Sequence, residues 1–587
     1  MAGNRLVIGL DYGTTYTGVA FCETSDAETD QKRIQIIQDW PSGHTMIGTK
    51  EKVPSELAYA DDGQVLWGSL IPPHVKRHMW TKLELDKVAC VAGESVKIQE
   101  ELSPLNKDPV EVIVDYLSNV KDHLIRNLDK QYGPALWRTL PMTLVVTVPA
   151  IWSDAAKDRT LGAVRKAGFN DSYLPQLKRT LTTTEPEAAA IYTLKSMRGT
   201  AQDQQMAMDD GFIVCDMGGG TVDLISYRIS DTDPLKVDEV TIGSGAQCGG
   251  SFVDLAFLAW LERRLGVEDF VKIAGCRAEE CSRTCLSPKL RRMIQEFTFT
   301  AKSGFSGDQD YYLQLPHPLS AVDDWERGMI DGDLHVESGD MKEMFEFSLQ
   351  ETCQLITYQL KNAKQSGKVW MKYVFLVGGF AESPYMFNEI KKFLQRLELQ
   401  AIKPAFAWSA IARGAAATGL EGDSNAIVKR KCRRHYGTIH CPFFIPGKYC
   451  KSQSWICPYK GTRHAGEQAA WLIKKGDDMY TSKKTHASKE LSLTWWPSES
   501  KSTSFQLLAC DMDTAPQLSQ HATVYKVAQL TVDTNKLPIN QVSQGVSSDG
   551  RLYYNADVTV EISMQSTLEF SVSFKGKKYA AITARYD

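Results

Sequence analysis

The sequence lacks a strong net charge, a long apolar run and both of the common nucleotide-binding fingerprints. Lys and Arg number 67 against 71 Asp and Glu, a formal net charge of -4 spread along 587 residues. Such a balance names neither nucleic acid nor an anionic membrane as a partner. No window approaches the roughly 18 uninterrupted apolar residues that a membrane-crossing helix needs. The one apolar stretch near the start, "LVIGL", has no basic leader or small-residue cleavage site and runs straight into Asp11, so it reads as a strand rather than an export signal. No CxxC pair occurs among the 13 cysteines, an odd number. Reduced thiols and a cytoplasmic location are expected. Neither GxxxxGK[ST] nor GxGxxG is present, which leaves P-loop and Rossmann readings without support.

Length excludes a single core. From the start to about residue 425, short β-type runs alternate with helical patterns, which predicts α/β layering. Strands are expected at "RLVIGL", "LVVTVP", "FIVCD" and "YVFLVGG", and helices over 110–128, 153–168, 186–198, 250–265, 341–361 and 384–395. Ser153 and Ser383 supply N-caps, and Pro384 suits a first turn. An internal echo is present. Asp11, Tyr12, Gly13 recurs as Asp216, Met217, Gly218, each at the end of an apolar strand and followed by another strand-like segment. Two copies of one strand, turn, strand unit suggest two related lobes with a ligand between them.

The polar, basic "EGDSNAIVKRKCRRH" at 421–435 breaks this texture, and the domain boundary is placed there, 1–425 against 426–587. Beyond it, "VTVEISM" and "LEFSVSF" alternate apolar and polar residues on either side of Gln565 to Thr567, as a half-buried hairpin does. An antiparallel β-sandwich is the economical expectation.

Chemistry gathers at the turns. "CDMGGGTVDL" puts three glycines at a strand end, where they serve a hairpin or expose a row of N–H groups to a phosphate chain. Asp216, Thr221 and Asp223 around them suit Mg²⁺, a hard ion held through a few oxygens and the nucleotide's own phosphates. "GLDYGTTYTG" offers Asp11, Gly13, Thr14 and Thr15 in the same way. "LVGGFAESP" leads from strand to helix, with Gly378 and Gly379 open to a flat ligand or serving a plain turn.

The order "GLDYGTT", "VTVPAIW", "TEPEAAAIY", "CDMGGGTVDL", "GGSFVD" and "LVGGFAESP" resembles the ATPase domain of the seventy-kilodalton heat-shock proteins, within the actin and sugar-kinase (ribonuclease H-like) fold. "VPAIW", "EPEAA" and "VGGFAESP" are closer to the divergent member-12-type branch. The resemblance spans most of residues 5–420. It implies ATP or ADP with Mg²⁺ between two lobes, the metal held through water by Asp11 and Asp216. Thr14, Thr15 and Tyr16 would meet the phosphates on one side, with Gly218, Gly219, Gly220 and Thr221 opposite. Asp223 and Glu185 would position metal and attacking water, and Lys82 in "HMWTKLELD" would face the γ-phosphate. Gly249 and Gly250 of "GGSFVD", Lys302 and Ser306, and Gly378 with Gly379 would complete the nucleotide pocket. Pro149 and Lys157 fall where the family relays nucleotide state to its second domain.

Departures accompany the match. Phe380 and Glu382 stand where the family lines the adenosine with serine and arginine, and the base-clamping helix is only partly recognisable around Glu296, Lys302 and Ser306. The leucine-rich interdomain linker is replaced by "NAIVKRKCRRH", and with the strand-like "LEFSVSFKGKKYAAITARYD" neither a long helical lid nor an acidic tail for co-chaperones is expected. The implied function is an ATPase-type chaperone, slow in hydrolysis, whose nucleotide state controls a polypeptide-binding β domain. A nucleotide-gated scaffold with little hydrolysis and a small-molecule kinase of the same superfold are the alternatives. Cys432, His435, His440, Cys441, Cys450 and Cys457 lack zinc-site spacing, and Cys276, Cys281 and Cys285 fit a helix face. Trp455, Trp471, Trp495 and Trp496 suit either a core or an apolar cleft.

Overall fold

A computed structural model describes residues 4–24, 34–42, 50–60, 62–72, 75–86, 107–198, 206–233, 235–281, 286–367, 369–421, 426–480, 485–498, 502–564 and 568–583. The first hairpin joins β1 (Leu6–Tyr12) to β2 (Tyr16–Glu23) through Gly13, Thr14 and Thr15, with Asp11 opposite Gly18. All of β1 is buried, hence its unbroken apolar run. β3 (Met142–Val148) lies parallel beside β1, and β4 (Leu177–Thr184) parallel beside β3. The second half repeats the plan. β5 (Gly211–Met217) and β6 (Val222–Thr232) form a hairpin that sets Asp216 opposite Asp223. β7 (Met371–Val377) is parallel to β5, and β8 (Gln400–Ile402) is parallel to β7. The echo noticed in the sequence is therefore one hairpin plus parallel strands, used twice.

Helices begin where the sequence supplies caps. α1 (Pro109–Tyr132) opens with an Asp108–Glu111 capping box and Pro109 in its first turn. Ser153 caps α2 (Asp154–Lys166), and Thr184 caps α3 (Glu185–Met197), which places Glu185 at the first position after β4. α4 (Gly250–Leu265), α5 (Pro288–Glu296), α6 (Ser338–Gly367), α7 (Pro384–Arg396) and α8 (Ala410–Glu421) follow. Five of the six expected helices run close to their expected spans; the expected 341–361 helix is longer at both ends. α8, "AIARGAAATGLE", is small-residue rich because it packs against both α3 and β1. A Cβ on Gly414 would stand 1.8 Å from the Ala188 carbonyl oxygen of α3.

The chain divides into two units, Met1–Leu235 with Gly243–Ala426, and Lys236–Ile242 with Ile427–Asp587. The seven residues Lys236–Ile242 were not separable from their surroundings in the sequence. In the second unit, the strand Leu235–Glu239 runs parallel to β9 (Ile427–Lys431). The segment read as a polar boundary is thus partly strand, and its cations have acidic partners: Lys429 with Asp238 at 3.3 Å and Arg433 with Glu239 at 2.5 Å.

β10 (His435–His440) pairs antiparallel with β11 (Gln468–Ile473) on one side. β12 (Thr485–Trp495) belongs to a second sheet, while β13 (Ser502–Cys510) pairs with the other side of β10 and with β14 (Val524–Asp533). In the second sheet β12 is followed by β15 (Leu552–Met564), β16 (Leu568–Phe574) and β17 (Lys577–Thr583), all antiparallel. Leu507 and Val532 from one sheet and Val558, Val560, Ile562, Phe570 and Val572 from the other share one core, the sandwich that the alternation predicted. The turn expected at Gln565 to Thr567 lies outside the described residues. Trp495 joins this core and Trp496 is buried beneath the Arg551 guanidinium, whereas Trp455 is exposed.

Cys432 donates to the Arg434 carbonyl and His435 contacts the Met512 carbonyl, and no group of three metal-ligating side chains occurs among the described residues. In the first unit, Cys276 and Cys281 flank a short 3-10 turn, Ala278–Glu280, rather than riding a helix face, and Cys285 lies outside the described residues.

Two outcomes test this packing. Gly414→Ala should destabilise the full chain by about 3 kcal/mol in guanidinium unfolding, because α3 and α8 must separate; a change under about 0.5 kcal/mol would mean the helices yield freely. Burial, with Lys489 and Lys448 nearby, lowers the His440 pKa to about 4. A depressed folded pKa contributes stability above the unfolded value of about 6.5 and loses it as pH falls towards 4. Thermal unfolding of the second unit should weaken across that window, and His440→Gln should flatten the profile.

Candidate functional site

The two hairpin turns face one another across a cavity of about 830 Å³. The approach is close: a Cβ on Gly219 would lie 2.1 Å from Thr15 Oγ1, and one on Gly220 would lie 3.0 Å from Thr14 Cγ2. Only glycine fits at 219. α4 anchors the second turn from behind, through Gly250 N–H to the Gly218 carbonyl at 3.1 Å and Ser251 N–H and Oγ to the Gly219 carbonyl at 2.8 and 2.7 Å. Gly249 belongs to this backing layer, since its Cβ would press within 2.6 Å of the Gly218 oxygen.

Gly13, Thr14, Thr15 and Tyr16 line the cavity on one side, Gly218, Gly219, Gly220 and Thr221 on the other. Gly378 and Gly379 close a third side. Gly378 adopts φ 89°, where a side chain is strained, and its Cβ would meet Asp216 Oδ1 at 2.5 Å.

Charge inside the cavity is buried and unevenly paired. Lys82 forms a buried ion pair with Glu185 Oε1. Lys52 Nζ stands 2.6 Å from Asp11 Oδ2, and Thr147 Oγ1 donates to Asp11 Oδ1 at 3.2 Å. Asp216 Oδ1 and Asp223 Oδ1, by contrast, are buried with no hydrogen-bond partner among the described residues. Burial first, then the charges of Glu185, Asp223 and Asp11, push the Asp216 carboxyl well above the usual range. Burial and Glu185 raise Asp223 to about 7, and burial raises Glu185 despite Lys82. Buried oxygens short of positive charge, beside amides freed of Cβ, are what a hydrated divalent cation and a phosphate chain require. The donor set therefore fits Mg²⁺ with a nucleotide. Asp223 stands behind the cavity wall rather than in it.

The wider end is less like the expectation. α5 continues into a π-helical turn, Phe297–Lys302, and Lys302 grips both oxygens of Asp254 at 2.8 Å, with Thr298 adding a bond at 3.1 Å. Ser306 is exposed, bonded to Gln309, and does not line the cavity; Glu296 accepts from Gln314 N–H. Phe380 is buried and stacks on Phe345, and Glu382 pairs with Lys403 at 3.0 Å. Sequence reading missed Lys52, Thr147 and Asp254. Asp254 lies inside the quoted "GGSFVD", but Lys52 sits in no motif; the only local cue is the extended "KVPSE" that follows the first hairpin.

A family model described as Hsp70 protein matches residues 95–427, more than half of the chain. The chain belongs to the Hsp70 family. Its first unit is an actin-like Hsp70 ATPase domain, and a domain rich in antiparallel strands follows; residues 434–587 match a "Domain of unknown function (DUF8568)". The first hairpin turn precedes the matched residues. Relatives agree: the chain is 24% identical to human Heat shock 70 kDa protein 12B over 519 residues, 76% of this chain and 73% of that protein. Mouse Heat shock 70 kDa protein 12A is 24% identical over 517 residues, covering 76% and 73%. The Chaperone protein HscA homolog of Acinetobacter baylyi is 23% identical over 410 residues, 68% of this chain and 56% of its own length. The likeness to the member-12 proteins supports a divergent branch of the Hsp70 family.

In the ligand-free Hsp70 domain the Asp216 carboxylate is held at a cost. Asp216→Asn should raise the unfolding midpoint at pH 8 by the equivalent of about 1 kcal/mol, a stability gained at the expense of function. Thermal unfolding without nucleotide checks this, and a clear loss of stability would mean that Asp216 is well satisfied.

Proposed function

We propose that the chain is an ATP-binding, chaperone-like protein that hydrolyses ATP slowly to ADP and phosphate and uses the nucleotide state to set the affinity of its β domain for a polypeptide partner. The observation that carries this reading is the pair of glycine turns facing each other across a cavity that also contains Lys82 and an unpartnered Asp216. The glycines of the second turn bring no Cβ of their own to the cavity wall, so a polyphosphate can lie against their backbone. Asp216 would hold Mg²⁺ from the second turn, which when bound supplies positive charge to the phosphate oxygens.

The chain's own groups account for the rest. Lys82, fixed by Glu185, stabilises charge developing at the γ-phosphoryl oxygens. Glu185, its pKa raised by burial, orients and accepts a proton from the attacking water. Thr221 positions that water from the second turn, with Asp223 behind it on β6. Control of a partner follows if ATP and ADP favour different lobe closures, a shift of populations between existing states. The unjoined thiols, and the lack among the described residues of a helix long and apolar enough to cross a membrane, support a cytoplasmic setting.

A second reading, a nucleotide-gated scaffold with little hydrolysis, is favoured by the wider end of the cavity. There Lys302 is held by Asp254, and Glu382 stands in place of a cation.

Single-turnover ATP hydrolysis with Mg²⁺ and no acceptor, with bound nucleotide quantified in the same samples, decides between them. Lys82→Ala should slow phosphate release by about 100-fold while ATP remains bound, with Thr221→Ala in the same direction. Tight binding without phosphate release supports the scaffold. Consumption only when a sugar-type acceptor is supplied would make the protein a kinase.

A further inference from the structure

One buried charge in the cavity is not explained by the paired turns. Lys52 precedes the two-residue strand Val53–Pro54, which pairs with Thr17 and Tyr16 of β2. Its stem crosses Gly18, where a Cβ would come 3.2 Å from Lys52 Cγ and 3.4 Å from Cε. Glycine opposite Asp11 thus leaves a channel for the lysine. Nζ ends 2.6 Å from Asp11 Oδ2, with the two side chains only 7% and 2% exposed. A lysine buried to this depth loses more hydration than a surface pair returns, so its partner and geometry must both be good.

The second hairpin has no counterpart. Asp11 and Asp216 end equivalent strands, yet Asp11 has a cation on one oxygen and a hydroxyl on the other, while Asp216 Oδ1 has no partner among the described residues. A direct cationic partner is therefore built into one half of the phosphate cradle, while Asp216 feels Lys52 only through space.

We propose that Lys52 is a resident phosphate-binding cation that does at Asp11 what a divalent metal would otherwise do. Nucleoside di- or triphosphate then binds this site with little dependence on divalent metal, and any metal is held on the Asp216 side. The proposal rests on the nucleotide reading above. An ammonium group carries three donors; one is spent on Asp11, and Lys52 lines the cavity into which the others can act. A lysine also acts on phosphate as a point charge without the strict octahedral demands of Mg²⁺.

The test is equilibrium binding of ADP to the full chain in Mg²⁺ and in EDTA, read as the ratio of the two Kd values. In the wild type the ratio should stay below about tenfold. Lys52→Met should weaken binding in EDTA by about tenfold or more and leave binding in Mg²⁺ far less changed, since the exposed Asp11 oxygen becomes available to the metal. General damage moves both arms together, so equal weakening in Mg²⁺ and EDTA would reduce Lys52 to a structural role and overturn the proposal. Loss of wild-type binding in EDTA would overturn it without any variant. Absence of ADP binding in both media is a separate result: it removes the nucleotide reading and this assignment with it. Lys52→Gln, with melting of the ligand-free protein recorded for both variants, guards against misfolding.

Discussion

The close approach of two backbone turns is the constraint on which the rest of the first unit depends. Gly219 and Gly220 have no Cβ to hold Thr15 and Thr14 away, so two hairpins that lie far apart in the chain form one cradle. Everything around them preserves that approach. α4 hydrogen-bonds the second turn from behind, and the tight α3–α8 contact at Gly414 holds the helices behind the first sheet. Small residues recur because backbones, rather than side chains, are being brought together.

Electrostatics then divides the cradle. Four carboxyl groups and two lysines are buried around the turns, and the lysines are paired with Asp11 and Glu185. Asp216 and Asp223 have no ion-pair partner among the described residues and feel Lys52 and Lys82 only at a distance, so burial raises the proton affinity of both. Uncompensated charge of this kind is costly in the empty protein and useful once a cation or a proton arrives. The stress is concentrated where ligand binding would relieve it.

Much of this was legible in the sequence because turns and caps are local. Asp11-Tyr12-Gly13 and Asp216-Met217-Gly218 identified the two hairpins, and Ser153 and Ser383 fixed helix starts through hydrogen bonds that span three residues. Glu185 and Lys82 were picked out by resemblance, and the structure brings them together. What escaped was non-local. Lys52 reaches Asp11 from 41 residues away, outside any motif, and Thr147 from 136, inside the quoted "VTVPAIW" but with nothing local to mark its partner. Lys302 was singled out without its partner, because Asp254 lies on another helix. Ser306, four residues beyond Lys302, lies exposed past the end of the helix that carries Lys302 and outside the cavity. The basic segment after Ala426 looked like a solvated boundary, since its acidic partners Asp238 and Glu239 lie nearly two hundred residues earlier.

That last feature constrains the order in which the protein can be made. Lys236–Ile242 leaves the ribosome well before Ile427 does, yet it belongs to the second unit. During synthesis the edge of this strand that β9 covers stays open, its Asp238 and Glu239 lacking their basic partners, until the whole Hsp70 domain has been translated and β9 arrives. The second unit is therefore not a terminal appendage added to a finished domain. Its assembly is completed by a strand threaded out of the first unit's interior sequence, and a nascent chain halted before Ile427 would expose an edge with nothing to pair against.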